Sequence, residues 1–225
     1  MGKIIQLKDY TGRRDGTMKD NATKFKKLLE NLKTRNAAGK EYSLGDIIDV
    51  ANQILQQIDY YSGCGATPIV KIAKEFDFKT YKETLNNNKS GDIHINGATQ
   101  ERYGHNQVIL VNKTEEFFHQ RFVVAHELAH YLFDFLGNTH YEDKNILFFD
   151  SYTKDQHDTP EEKRANAFAA EIMMPRELFI EQYHTAKQVD NSRMFILLYL
   201  SRFFETSIES IEKRIVEVSG VNVVF

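Results

Sequence analysis

Along this chain the spacing of apolar residues switches between the 3.6-residue period of helices and the two-residue period of strands, and those switches outline its elements. Helical spacing runs through residues 21–34, where the polar positions are mostly basic. It returns over 43–58, an amphipathic segment with Ser43 as a natural N-cap. After a glycine-containing turn at 63–65, a short helix is expected over 68–76. Residues 78–84 and 92–96 read as strands separated by the Asn- and Gly-bearing turn 86–91, and 107–112 is the clearest strand. A long helix follows over about 115–136, then a polar connection, then a helix that Thr159 and Pro160 start and Pro175 ends. One more helix lies within 185–206, and a last one spans 207–218, capped by Thr206 with Glu209. This order predicts an α+β architecture: helices packed on a small, twisted, mostly antiparallel sheet, with a helical C-terminal element. It divides into a basic N-terminal arm or helix over 1–41, a core over 42–184 and C-terminal helices over 185–225.

Composition bounds this picture. The 225 residues are 41% apolar and include 16 Phe and 11 Tyr, enough for a real core. The net charge of −3 is unevenly spread: residues 1–40 carry eleven Lys and Arg against four Asp and Glu, a surplus of seven, which leaves the remainder near −10. Such a basic segment reads as a solvated arm, with contact to nucleic acid or an acidic partner as the other reading. No run approaches the ~20 apolar residues of a membrane span. No secretory signal follows Met1, so a cytoplasmic protein is expected. The single cysteine, Cys64, cannot form an internal disulfide and has no recognisable Cys-His framework, which makes it a small loop or buried residue. Residues 200–214 superficially resemble a helix-turn-helix. Glu209, Glu212 and Glu217 against Lys213 and Arg214 make the second helix a poor phosphate binder, so a packing pair is expected.

The chemistry concentrates in residues 121–133. His126 and His130 lie four apart with Glu127 beside the first, the pattern His-Glu-x-x-His, on a helix whose Phe122, Ala125, Ala129, Leu132 and Phe133 mark a core-facing stripe. Imidazoles one turn apart reach a single metal ion, and the glutamate between them can hold and deprotonate water, which is the equipment of peptide-bond hydrolysis. The bland alternative is an amphipathic helix with histidines at the edge of the core. Two half-buried imidazoles and a carboxylate still need partners, and a metal supplies them.

A zinc catalyst takes three protein ligands and one open position. On the helix after Thr159, the residues Ala165, Phe168, Ala169, Ile172 and Met173 form the buried stripe, and its small alanines allow close approach to the first helix. Glu162 and Asn166 sit one turn apart on nearly the same side. Glu171 is about half a turn out of phase with Glu162 and is expected to face solvent. Spacing alone leaves the third ligand open. Thr159-x-x-Glu162 is equally a capping box, in which the carboxylate bonds back to the cap amide. Glu161, His140, Asp150, His157 and Asp158 are further candidates.

Taken together, the stretches from Gln120 to Tyr131 and from Glu162 to Pro175 closely resemble the two motifs of the ImmA/IrrE family of metallopeptidases, with the resemblance covering about residues 45–215. It implies a zincin-like fold with His126, His130 and Glu162 as metal ligands, Glu127 as the catalytic base and Asn166 as a supporting group that orients a ligand. Ala129 stands where the family usually has glycine, a change that favours the helix and adds little bulk. The implied ion is Zn2+, with Mn2+ as the alternative, because two imidazoles and one carboxylate discriminate weakly. Glu127 takes the proton of water and delivers it to the leaving nitrogen, while a second donor stabilises the oxyanion. Tyr131, His140, Tyr141 and His157 are candidates for that donor, and nothing in the sequence selects one. An edge strand, 93–96 or 108–111, is implied to pair with extended substrate.

By the same resemblance the substrate is a DNA-binding helix-turn-helix repressor whose cleavage relieves repression of mobile-element or stress genes. Other readings stay open. One is a metal-bearing module that inactivates a repressor by contact without cutting it. A general housekeeping peptidase and direct DNA binding through residues 1–40 are the others.

Overall fold

The structure, a computed structural model, describes residues 5–6, 18–60, 65–84, 95–100, 107–137, 147–151 and 159–219. Cys64 lies outside them.

Helix α1 (Met18–Ala37) is longer than the expected 21–34 and is not a solvated arm. Its Phe25, Leu28 and Leu32 are buried in the common core, and Phe25 meets Phe76 edge-on at 4.8 Å. Lys26, Lys27 and Lys33 occupy the outer face of this helix, whose inner face is apolar. Arg35 near its end reaches α2 (Leu44–Gln57) and pairs with Asp46 at 2.8 Å, and Asp46 also completes a capping box with Ser43, the expected cap. Helix α3 (Ile69–Glu75) follows and buries Ile69, Ile72 and Ala73.

Strands β1 (Ile5–Gln6), β2 (Phe78–Glu83), β3 (Ile95–Gln100), β4 (Gln107–Asn112) and β5 (Leu147–Ser151) make one sheet in the order β1-β2-β4-β3-β5. The antiparallel expectation holds for β1 with β2, β4 with β3, and β3 with β5, but β2 and β4 run parallel. The cause lies in β4. Its Val108, Ile109 and Val111 are all buried, a run apolar on successive positions that suits an interior strand. Strand β4 therefore inserts between β2 and β3. Neither 108–111 nor the described part of 93–96 is then an edge: β3 is interior too, and the described edges are β1 and β5. Both edge strands went unexpected, β5 because it falls in the polar connection.

Helix α4 (Phe117–His130) lies across β3 and β4 and packs along α5 (Pro160–Met173), which also meets α2. The helix expected within 185–206 is α7 (Arg193–Phe204), and α6 (Arg176–Val189), which was not expected, precedes it, the two separated at Asp190 and Ser192, where polar side chains replace the apolar stripe. Helix α8 (Ile208–Ser219) is capped by Ser207, whose Oγ accepts the Ser210 N–H at 3.1 Å. Thr206, the expected cap, is buried and turns its hydroxyl to the Met174 sulfur. Glu171 is also not solvent-facing: it is 2% exposed and ion-paired with Arg214 of α8, which covers that face of α5. No described helix is long and apolar enough to cross a membrane.

Candidate metal centre

The site is built where α4 and α5 touch. Ala125 and Ala129 on α4 and Ala165 and Ala169 on α5 are fully buried, and side chains this small let the two backbones come close. His126 and Glu127 are carried into the same interior, 4% and 1% exposed. The long helix expected to reach about 136 changes character at the second histidine: Tyr131–Phe135 is a π-turn, with the Leu136 N–H bonded to Tyr131 O at 2.9 Å. Such widened turns are rare and concentrate at functional sites. The carbonyls of Leu132 and Leu136 accept instead from the side-chain amide of Asn36 on α1, at 2.9 and 2.8 Å. The Tyr42 hydroxyl donates to the oxygen of that amide and fixes its orientation.

The structure brings His126, His130 and Glu162 together, with one ligating atom of each lying within 4.8 Å of the others. The two Nε2 atoms are 3.0 Å apart, His126 Nε2 is 3.2 Å from Glu162 Oε2, and His130 Nε2 is 3.3 Å from Glu162 Oε1. The outer nitrogens are engaged: His126 Nδ1 faces Asn166 Oδ1 at 3.1 Å and His130 Nδ1 faces Asp134 Oδ2 at 2.8 Å. An ion at the centre would be met with the ring protons held at Nδ1, where both rings face acceptors, and with the two Nε2 lone pairs turned toward each other and a carboxylate. Three lone-pair donors at such separations repel unless a cation lies among them. Bonds of about 2.0–2.1 Å to a tetrahedral zinc put its ligand atoms roughly 3.3 Å apart, the spacing found here. The donor set fits a divalent ion.

The electrostatics agree. Burial works against a charged His130, but hydrogen bonds to Asp134 and Glu162 and the nearby charge of Glu127 outweigh it and push the imidazole up to about 10. Burial would likewise raise Glu162, yet its hydrogen bonds to His126 and His130 hold the carboxyl well below the usual carboxylate range. A cluster that draws a proton this strongly is a place made for positive charge.

The Glu162 carboxylate does not close a capping box. Thr159 caps α5 through the Glu162 backbone N–H at 3.3 Å, while the side chain goes to the imidazoles. Glu161 is 54% exposed and lies 3.9 Å from Arg164, and among the described residues it does not join the cluster. Tyr131 is buried with its ring edge-on to Phe78 of β2, at 4.9 Å. His140, Tyr141, His157 and Asp158 lie outside the described residues, as does the side chain of Asp150 on β5. Two residues went unnoticed in the sequence: Asp134, at His130 Nδ1, and Arg164, paired with Asp134. The four-residue spacing of His130 and Asp134 was the available signal. For Arg164, placed across a helix pair, there was none.

Comparison with curated protein sequences yields no match. A family model does match: residues 73–216, well over half of the sequence and including both site helices, fit a peptidase family described as the IrrE N-terminal-like domain. The chain therefore belongs to the IrrE N-terminal-like domain family of peptidases.

Proposed function

We propose that this chain is a zinc-dependent endopeptidase that cleaves a DNA-binding helix-turn-helix repressor and so relieves repression in a mobile-element or stress response. The observation that carries the catalytic part is the meeting of His126, His130 and Glu162 beside a buried Glu127. His126, His130 and Glu162 hold the ion, with Mn2+ as an alternative to Zn2+. When bound, it supplies Lewis-acid polarisation of the scissile carbonyl and makes water acidic enough to attack at neutral pH.

Glu127, next to one ligand and with its charge felt at the other, accepts the proton of the attacking water and passes it to the departing nitrogen. Its burial keeps bulk water away from this carboxylate. Asn166 and the amide-braced π-turn keep both imidazoles in register for the ion. The repressor substrate rests on family resemblance, and it places the reaction in the compartment that holds the DNA, the cytoplasm.

The test mixes the purified chain with a helix-turn-helix repressor encoded beside it and follows fragments by mass spectrometry. The wild type cuts, whereas Glu127→Gln retains its ion and loses on the order of 10²–10⁴ in rate. A Glu127→Gln protein that still relieves repression without cutting would establish the alternative, a metal-bearing anti-repressor that acts by contact.

A further inference from the structure

We propose that Asp134 and Arg164 form a positioning pair that fixes His130 for its ion, an inference that rests on the metal reading above. The two imidazoles are braced differently. His126 gives its Nδ1–H to the neutral amide oxygen of Asn166 at 3.1 Å, whereas His130 gives its own to a carboxylate oxygen of Asp134 at 2.8 Å. The other oxygen of Asp134 accepts from Arg164 Nη2. Helix α5 thus contributes in three ways within five residues: Glu162 faces both Nε2 atoms, Arg164 holds the brace of one imidazole, and Asn166 braces the other.

The pair is sheltered, with Asp134 and Arg164 side chains 10% and 16% exposed, so solvent screens it only partly. A carboxylate at Nδ1 fixes the ring tautomer, turns the Nε2 lone pair to the centre and raises its basicity. Arginine holds that carboxylate in one orientation and offsets its charge, which an unbraced aspartate on a widened turn would lack. The turn itself is held from α1 by Asn36.

An ion pair between a turn and a helix can also be a tie and nothing more, so the test needs a readout that a tie does not move. Wild type, Asp134→Ala, Asp134→Asn, Arg164→Ala and Arg164→Lys are compared by chelator competition for Zn2+ and by the visible spectrum of the Co2+-loaded protein. Thermal melting of the metal-free forms checks the fold. Asp134→Ala is expected to weaken Zn2+ binding by about 10- to 100-fold and to shift the Co2+ bands. Asp134→Asn should do the same while preserving shape, because an amide must turn its NH2 toward one of the two donors it faces. Arg164→Lys should recover most of what Arg164→Ala loses.

Wild-type affinity and an unchanged Co2+ spectrum in both Asp134 variants would overturn the inference, even if their melting points fell, since that pattern is a tie. Should Asp134→Ala not fold, Asp134→Asn decides. A wild-type chain that binds neither ion would overturn the metal reading itself, a result distinct from wild type and variants binding alike.

Discussion

Glu162 and Thr159 make one half of a capping box and not the other: the Glu162 backbone N–H reaches Thr159 Oγ1 at 3.3 Å, while the carboxylate that would return to the cap amide stands 3.3 Å from His130 Nε2. The main chain thus serves the cap while the side chain faces the imidazoles. Thr159→Ala should lower stability by about 1 kcal/mol, the usual cost of a lost N-cap, and leave Zn2+ affinity within about twofold. Urea unfolding beside chelator competition reads both quantities. A large loss of affinity would show that the cap and the ligand act as one unit.

The π-turn depends on α1. Asn36→Ala removes both amide hydrogen bonds to the turn and leaves two carbonyls seeking donors, a loss of about 1–3 kcal/mol. In a chain of this size that lowers the melting temperature by roughly 2–4 °C per kcal/mol. Gly137 ends the turn at φ +76, and a Cβ there would lie 2.8 Å from the Lys33 carbonyl oxygen. Gly137→Ala meets both backbone strain and this contact, and calorimetry should find it at least as damaging as Asn36→Ala.

Arg214 and Glu171 carry a different risk. Both are almost fully buried, 3% and 2% exposed, and Arg214 also donates to the Met174 carbonyl at 3.0 Å. Arg214→Ala leaves an uncompensated buried carboxylate and should cost about 3–5 kcal/mol. Replacing both partners by apolar residues of similar volume should recover most of that loss. Denaturant titration of the single and double variants checks it. Equal loss in both would mean that the pair stabilises through charge alone.

Asp46 supplies a pH signature outside the metal centre. Hydrogen bonds from Arg35 first, then from the Ser43 hydroxyl and amide, hold its carboxyl well below the usual range. A depressed folded-state value means that the stabilisation is present above the unfolded carboxylate pKa, about 3.9, and is lost as pH falls through the lower folded value. Asp46→Asn should therefore be less stable than wild type at pH 7, with the gap between urea midpoints narrowing progressively below about pH 4. A gap independent of pH would assign the effect to shape and not to charge.

Much of this was legible in the chain itself, and the limits have physical causes. The motif helix, α5 with its Thr159 cap and Pro160 start, and the strand Gln107–Asn112 all announce themselves through local periodicity and local capping chemistry. Glu162 was ambiguous because one spacing serves two partners, and only the approach of a distant helix decides between them. Glu171 was misread for the mirror reason. Its phase on α5 points away from the site, but Arg214, 43 residues later, buries that side too. Basic composition hid the packing face of α1, and β5 lacks an alternating pattern strong enough to stand out from its polar surroundings. Tertiary partners set each of these outcomes, and none is encoded within a helical turn of the residue concerned.

The most direct test of the central claim is the metal content of the folded chain. Wild type, His126→Ala and Glu162→Ala are each equilibrated with Zn2+, freed of excess by dialysis, and measured by atomic emission against protein concentration. The account predicts about one ion per chain for wild type and a small fraction of that for either variant, with the fold retained in all three. Equal occupancy in Glu162→Ala and wild type would contradict it.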